Sequence, residues 1–127
     1  MKFNYLIILI FIISCTNNSA GDKTKNTESS VAVANTNGEN LFKANCASCH
    51  KPNERYVGPA LQGVVNRWES KELLYAFVRN SQEVISRNTY AKKLYDEYKQ
   101  SPMLPYPNLK DRDIDDILRY CQNYIAE

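Results

Sequence analysis

The sequence predicts a small all-α domain, and two observations support this. Four segments of the chain repeat apolar residues at intervals of three and four, the spacing of a helix that buries one face. The 127 residues include four glycines but nine tyrosines, which favours a tyrosine-rich helical domain over a β-sandwich. A chain of this length holds at most one domain.

The first helix is expected from about Gly38 to Ala47, with Asn37 as a suitable N-cap. Leu41, Phe42 and Cys46 fall on one side of this helix. That side should therefore face the interior of the domain.

Two middle helices follow. Ser70 is expected to cap the first, over Lys71–Ser81, and the second runs from about Asn88 to Gln100. The first has one apolar face, formed by Leu73, Leu74, Phe77 and Val78. The second carries an aromatic stripe that we expect to pack in the core, formed by Tyr90, Leu94, Tyr95 and Tyr98.

The last helix is expected over Asp111–Ile125, after a loop at Ser101–Asn108 in which three prolines forbid regular helix. Asp111 is the expected cap. The acidic first turns indicate a solvated helix start rather than a metal site, because the N-terminal end of the helix dipole is positive. The apolar stripe comprises Ile114, Ile117, Leu118, Cys121 and Ile125. On this stripe, Cys121 is expected to be a small buried hydrophobe.

The most specific motif is Cys46-Ala47-Ser48-Cys49-His50, which reads C-x-x-C-H. This pattern is typical of the attachment of a c-type haem. Two thiols at this spacing on a helical turn can both reach the vinyl groups of one porphyrin and form thioethers. The histidine that follows then lies under the iron and can bind it through Nε2. The sequence thus predicts one covalent haem c.

Two other interpretations of the motif are weaker. A zinc site from Cys46, Cys49, His50 and Cys121 lacks the second two-ligand knuckle that structural zinc sites commonly have. A thioredoxin-like redox pair requires a strand before the C-x-x-C, whereas the preceding residues are typical of a helix.

The candidate for the second axial ligand follows from the number of histidines and methionines in the chain. His50 is the only histidine, so a haem with two histidines from this chain is impossible. Apart from Met1, the only methionine is Met103, which lies in the proline-braced loop. His/Met ligation closes both axial positions and raises the reduction potential. If Met103 were only a gap-filling core residue, the open iron could bind NO, CO or peroxide, as in a sensor or an enzyme.

The N-terminus has the pattern of a targeting segment. Lys2 precedes an apolar run at Tyr5–Ile13 that is too short to span a bilayer as an ordinary helix. The run ends at Ser14-Cys15, which resembles a bacterial lipoprotein signal cut before a lipidated cysteine. An uncleaved anchor and an ordinary secretory signal are the alternatives. Each interpretation places the domain outside the cytoplasmic membrane, and we expect the periplasmic side as a lipoprotein.

The sequence therefore divides into three parts. Residues 1–14 are the expected signal peptide, and residues 15–36 comprise the lipidated cysteine and a polar, disordered tether. A weak strand at Val31–Ala34 is the alternative within the tether. Residues 37–127 form the expected domain.

These stretches resemble the class I cytochromes c, from about Asn37 to Ile125. Besides the haem motif and Met103, the resemblance rests on the Gly-Pro stretch of Val57–Val64 and on Pro107-Asn108-Leu109 before the last helix. It implies a small all-helical fold wrapped round one haem. It also implies a monomeric electron carrier, rather than an enzyme, that serves redox partners such as a respiratory complex, an oxidase or a reductase.

By position, the resemblance implies that Cys46 and Cys49 hold the haem and that His50 and Met103 are its axial ligands. The carbonyl of Pro59 is the expected acceptor for His50 Nδ1–H, an interaction that leaves Nε2 free for iron.

The resemblance also suggests, by region only, that Arg67 and Trp68 contact the haem propionates. In such a fold the terminal helices cross. We therefore expect Phe42 to meet Tyr120 there, with Leu41, Ile117 and Cys121 nearby.

The charge of the chain identifies no partner. A net charge of +2 gives no strong steering field, and nothing in the sequence suggests nucleic acid. Five basic residues could form a local basic rim, namely Lys43, Lys51, Arg55, Lys92 and Lys93. A protein that uses haem only for its own stability remains a further alternative.

Overall fold

The computed structural model describes residues 36–126, and within this range it contains five α-helices, one short 3-10 helix and no strand. The helices are α1 (residues 36–45), α2 (Lys71–Arg79), α3 (Ser81–Arg87), α4 (Thr89–Glu97) and α5 (Asp111–Gln122), with the 3-10 helix at Val64–Arg67. The all-α prediction is confirmed. The predicted signal peptide, Cys15 and the tether up to residue 35 lie outside the described residues.

Helices α1 and α5 meet in very close contact. A Cβ built on Gly38 would lie 2.0 Å from the backbone oxygen of Asp116, so no side chain fits there. The Phe42 and Tyr120 rings pack with centroids 5.5 Å apart, as predicted, and Phe42 is only 4% exposed. Asn37 is not the cap that the sequence suggested. It lies inside α1, where its Nδ2 donates to Asp116 Oδ2 at 2.9 Å.

Helix α1 ends at residue 45, two residues earlier than predicted. The N–H groups of Cys46 and Ala47 both donate to the carbonyl of Phe42, at 2.8 and 3.0 Å, which ends the regular helical pattern. The N–H groups of Cys49 and His50 then both donate to the carbonyl of Cys46, at 3.0 and 2.8 Å. The haem motif therefore occupies a tight turn after the helix.

The predicted Lys71–Ser81 helix is shorter than expected, and α3 was not predicted. Ser70 caps α2 as expected, since its Oγ accepts from Leu73 N–H at 3.2 Å. Asn80 separates the two helices: its N–H donates to Ala76 O at 2.8 Å, and its side chain accepts from Glu83 N–H. An asparagine that satisfies backbone groups of both helices favours a break over one continuous helix.

Helix α4 is also shorter than predicted. Asn88 is its N-cap and accepts from Ala91 N–H at 2.9 Å. The helix ends at Glu97 rather than Gln100, because Lys99 and Gln100 adopt left-handed backbone conformations with φ of 58° and 57°.

Helix α5 begins with Lys110 at the cap position rather than Asp111. The N–H of Lys110 donates to Asp113 Oδ2 at 3.0 Å, and Asp111 instead pairs with Arg79. Ile125 lies beyond the end of the helix and is 84% exposed, so its assignment to the apolar stripe is wrong.

The apolar faces form two clusters. The larger one joins the 3-10 helix to α2–α5 and comprises Val64, Trp68, Leu74, Tyr75, Val84, Ala91, Ile114 and Leu118. The smaller one lies between α1 and α5 and comprises Phe42, Ile117 and Cys121. The burial predicted for Cys121 is confirmed. No helix within residues 36–126 has the length and hydropathy needed to cross a bilayer.

Candidate functional site

Two adjoining pockets open between the haem motif and the loop of Met103. They enclose about 800 and 670 Å³ of space, part of which opens to solvent. The two pockets share six lining residues: Cys46, His50, Pro59, Phe77, Leu94 and Met103. The fold thus brings most of the predicted site residues to one continuous cavity, although they lie far apart in the sequence.

Cys46 and Cys49 carry free thiols at one end of this cavity. Cys46 is half-buried and Cys49 is exposed. Burial raises the pKa of the Cys46 thiol to about 11, and the nearby Cys49 contributes in the same direction. Because both cysteines line the first pocket, both thiols have access to a group seated in that cavity.

The His50 imidazole is held in a defined orientation. Its Nδ1 lies 2.8 Å from the carbonyl oxygen of Pro59, so the predicted hydrogen bond is present. Because a carbonyl only accepts, Nδ1 carries the proton and Nε2 is left with a free lone pair. Burial lowers the pKa of His50, while the bond to Pro59 partly opposes this effect. A neutral imidazole with its other nitrogen engaged is the usual form of a metal-binding histidine.

Gly58 lies flat against the same imidazole, which sequence reasoning did not foresee. A Cβ at this position would lie 2.4 Å from His50 Cε1 and 2.8 Å from His50 Nδ1. The N–H of Gly58 also donates to the carbonyl of Cys49 at 2.8 Å. In the sequence, Gly58 indicates a turn and forms part of the resemblance to the class I cytochromes c. Its position next to Pro59, the predicted partner of His50, was the one sign in the sequence that Gly58 lies close to the imidazole.

The loop of Met103 is attached to the rest of the fold at three points. Ser81 Oγ donates to the carbonyl of Met103 at 2.6 Å, and Tyr106 N–H donates to the carbonyl of Val78 at 3.2 Å. The Tyr106 hydroxyl donates to the carbonyl of Asn45, just before the haem motif. Neither Ser81 nor Tyr106 could be assigned these roles from the sequence.

Arg67 and Trp68 line the second pocket. The Arg67 guanidinium donates to the carbonyls of Gln62 and Ala60, at 3.0 and 2.5 Å, and so braces the loop after Pro59. Trp68 is buried and packs against the rings of Phe77 and Tyr90, with centroid distances of 4.9 and 5.2 Å. Their contact with haem propionates stays a prediction.

The aromatic stripe of α4 is divided between the core and the cavity. Tyr90 packs against Trp68 and the larger cluster, as expected for a core residue. Tyr95 and Tyr98 instead line the first pocket, so their assignment to the core is wrong. Leu94 contributes to both pockets.

The side chains within residues 36–126 include no group of three or more His, Cys, Asp or Glu arranged to hold a metal ion. The zinc site considered from Cys46, Cys49, His50 and Cys121 therefore has no geometric basis here. The acidic start of α5 likewise forms no such group. Asp111 instead pairs with Arg79, and Asp115 pairs with Lys71.

The described residues form an all-α fold in which the C-x-x-C-H motif forms a turn, Pro59 orients His50, and Met103 lines the same cavity. Together these features define a c-type haem protein. Residues 35–124 match the family model for cytochrome c. The chain belongs to the cytochrome c family, whose members bind haem c covalently and carry electrons.

Solved structures agree with this assignment. A cytochrome c from Rhodothermus marinus shares 31% sequence identity over 71% of this chain and 75% of that chain, with a TM-score of 0.60. An engineered form of a Rhodothermus marinus cytochrome c, Rma TDE, matches with 31% identity over 71% of this chain and 76% of that chain, and a TM-score of 0.57. The same engineered protein bound to a carbene intermediate matches with a TM-score of 0.56, 31% identity and coverage of 71% and 75%.

Proposed function

We propose that this cytochrome c passes single electrons between redox proteins at a bacterial membrane. In this proposal Cys46 and Cys49 form the thioethers, and His50 and Met103 are the two axial ligands. The main support is that His50 and Met103 line the same two pockets while His50 is already oriented by Pro59. When bound, haem supplies an iron that alternates between the ferric and ferrous states.

The protein's contribution is to hold both ligands still. His50 is fixed by the Pro59 carbonyl on one edge and by Gly58 on its face. Met103 is fixed through its own carbonyl by Ser81. With both axial positions closed, no position remains for a substrate, which favours an electron carrier over a sensor or an enzyme.

The mouth of the first pocket supports docking of a partner with an apolar face. Val57 and Leu104 line this pocket yet are 48% and 66% exposed, and Tyr56 beside them is also exposed. Isolated exposed apolar residues are ordinary, but a group at the mouth of a functional cavity is suited to protein contact. A redox protein such as a respiratory complex, an oxidase or a reductase would dock here.

The predicted basic rim is largely neutralised by acidic neighbours. Four of its five basic residues form ion pairs, namely Lys43–Glu39 (2.7 Å), Lys51–Glu54 (2.5 Å), Arg55–Glu97 (3.4 Å) and Lys92–Asp96 (3.6 Å). Arg55 also stacks on Tyr98, with its guanidinium carbon 4.3 Å from the ring centre. Paired charges produce little long-range steering, so apolar contact should dominate the docking.

The membrane attachment belongs to the same proposal. A diacylglycerol on Cys15 would anchor the chain durably, because each buried CH₂ contributes about 0.8 kcal/mol. A flexible tether of the predicted length has a reach of roughly 25 Å. The domain would then sample partners on the periplasmic side while staying at the membrane. The apolar run before Ser14-Cys15 is the observation behind this proposal.

The ligand set is tested by Met103→Ala. Covalent haem should remain, because Cys46 and Cys49 are untouched. The Fe–S(Met) absorption band should disappear, the reduction potential should fall, and CO should bind the ferrous protein. Met103→His should restore a six-coordinate iron with a low potential. The measurements are the visible spectrum and a redox titration of the purified protein.

Leu104→Ala is the matched control, since Leu104 neighbours Met103 but is largely exposed. It should keep the Fe–S(Met) band, and its ferrous form should not bind CO. If Met103→Ala behaves like this control, Met103 is not a ligand and the open-site alternative takes the place of the electron carrier.

A further inference from the structure

Ser81 is a buried polar residue whose hydroxyl group bonds to the backbone of Met103. Among the described residues, the buried polar or charged side chains are Ser81 and Asp116, and Ser81 is 1% exposed. Burying a hydroxyl group without a partner is unfavourable. The Ser81 hydroxyl instead donates to the carbonyl oxygen of Met103 at 2.6 Å. The bond thus joins the start of α3 to the backbone of the proposed iron ligand.

The surroundings hold Ser81 in place. It directly follows Asn80, which caps α3 through Glu83 N–H and closes α2 through Ala76 O. Three residues later, Val84 is fully buried in the larger cluster. The donor therefore sits on a rigid part of the fold.

Apart from the bond from Ser81, the attachments of the Met103 loop described above are both made by Tyr106. The loop follows the two left-handed residues Lys99 and Gln100, and its residues 101, 102, 104 and 105 are exposed. Burial therefore does little to determine where Met103 lies. A hydrogen bond at Met103 itself restrains it more directly than the bond three residues later between Tyr106 N–H and Val78 O.

We propose that Ser81 is a positioning residue that keeps the Met103 thioether in its place as an axial ligand. This inference rests on the proposed function. Ser81 touches neither the haem nor the iron in this proposal. It shifts the equilibrium between a ligated and a released Met103 loop by stabilising the ligated form.

The test is Ser81→Ala in the full-length, haem-loaded protein, with imidazole as the probe. Loss of an ordinary hydrogen bond changes an equilibrium by about 3- to 10-fold. An external ligand that competes with Met103 gains apparent affinity by the same factor as the released form becomes more populated. Imidazole should thus bind the ferric variant about 3- to 10-fold more tightly. The reduction potential should fall, and the Fe–S(Met) band should weaken.

Two controls separate this effect from a general loss of stability. Ser86→Ala removes a hydrogen bond of the same 2.6 Å length, to Glu83 O, from an exposed serine of the same helix. Tyr75→Phe removes a bond between α2 and α5, from Tyr75 to Asp115, away from the Met103 loop. Both variants should keep the wild-type imidazole affinity and potential, although Tyr75→Phe should unfold more easily.

A second pair keeps the test decisive if Ser81→Ala fails to take up haem. Ser81→Thr retains the hydroxyl, whereas Ser81→Val has the same shape without it, so their difference isolates the hydrogen bond. Equal imidazole affinity and potential in the Thr and Val variants, or wild-type values in Ser81→Ala, would overturn the role of Ser81. The proposed function would still stand in that case if Met103→Ala loses the Fe–S(Met) band, so the two failures are distinguishable.

Discussion

At the scale of single residues, the haem site depends on a few contacts that restrict the rotation of the His50 imidazole. The imidazole is bonded to Pro59 on one nitrogen, and Gly58 lies against its face. The distance of 2.4 Å from a Cβ at Gly58 to His50 Cε1 is far below ordinary van der Waals contact. Only glycine lets the backbone approach the ring this closely.

Gly58→Ala is therefore expected to displace the imidazole or the loop. Inserting a methyl group into a packed site costs about 1–3 kcal/mol. The yield of haem-loaded protein should fall, and the spectrum of the protein that does form should change. Gly63→Ala is the control: Gly63 has φ of 69°, but a Cβ there meets nothing closer than Arg67 Nη1 at 3.9 Å. It should cost about 1–2 kcal/mol of backbone strain and leave the spectrum unchanged. Identical spectra for both alanine variants would contradict the role of Gly58.

At the scale of secondary-structure elements, α5 is the helix that contacts both α1 and α2. Gly38 and Phe42 of α1 pack on its Asp116–Tyr120 side, and Lys71 and Tyr75 of α2 both bond to its Asp115. Arg79 at the end of α2 bonds to the carbonyl of Leu109 and to Asp111 at the start of α5. The Met103 loop is joined to the end of α1 more directly, through the bond from the Tyr106 hydroxyl to the carbonyl of Asn45.

The α1–α5 contact is tested by Phe42→Ala. Because Phe42 is buried against Tyr120, Ile117 and Cys121, its truncation should lower the free energy of unfolding by about 3–5 kcal/mol. Urea unfolding of the haem-loaded protein is the measurement. Tyr56→Ala removes an exposed ring and should cost less than about 0.5 kcal/mol. A similar midpoint for the two variants would exclude a core role for Phe42.

The α2–α5 contact should depend on pH through Asp115. Burial would raise the pKa of Asp115, but the bonds from Lys71 (2.7 Å) and Tyr75 (2.5 Å) outweigh it and lower the pKa below its usual value. The native carboxylate therefore stabilises the fold above the unfolded pKa of about 4, and this contribution is lost as the pH falls through the lower native pKa.

Asp115→Asn should accordingly lower the free energy of unfolding at pH 7. In acid its free energy of unfolding should be closer to that of the wild type, because the wild-type carboxylate is then partly protonated and its contribution is smaller. The effect should stay below about 1 kcal/mol, because the carboxylate is partly exposed and solvent screens the pair. Unfolding at pH 7 and at pH 3 provides the measurement. Asp96→Asn, which breaks the exposed 3.6 Å pair with Lys92, is the control and should change little. A pH-independent difference between Asp115→Asn and wild type would contradict this account.

At the scale of the whole molecule, the cytochrome c domain is proposed to work at the end of a lipidated tether. Cys15→Ser should release the protein from the membrane fraction, because the diacylglycerol needs the cysteine thiol. Cell fractionation followed by haem staining is the measurement. Cys121→Ala removes another cysteine, one buried in the domain, and should leave the protein in the membrane fraction. Equal retention of both variants in the membrane would rule out the lipid anchor.

The sequence alone was sufficient to predict the family and its covalent haem c. The C-x-x-C-H spacing is a local property, and the ligand candidates follow from a single histidine and a single methionine beyond Met1. Helical periodicity also located α2, α4 and α5, with ends that were one to three residues in error. Helix α3 was missed because its seven residues are too few to show a clear apolar periodicity, and its cap, Asn80, falls inside the helix predicted to end at Ser81.

Only the tertiary structure decided which residues support that chemistry. Ser81 and Met103 are 22 residues apart, Asn45 and Tyr106 are 61 apart, and Asn37 and Asp116 are 79 apart. Periodicity describes one element at a time and says nothing about which side chain faces which backbone group after folding. The same reason explains why the basic residues looked like a rim in the sequence, whereas in the structure Arg55 pairs with Glu97 from another element. The sequence by itself thus determined the family, the cofactor and the candidate ligands, and the packing of distant elements determined how those side chains are held.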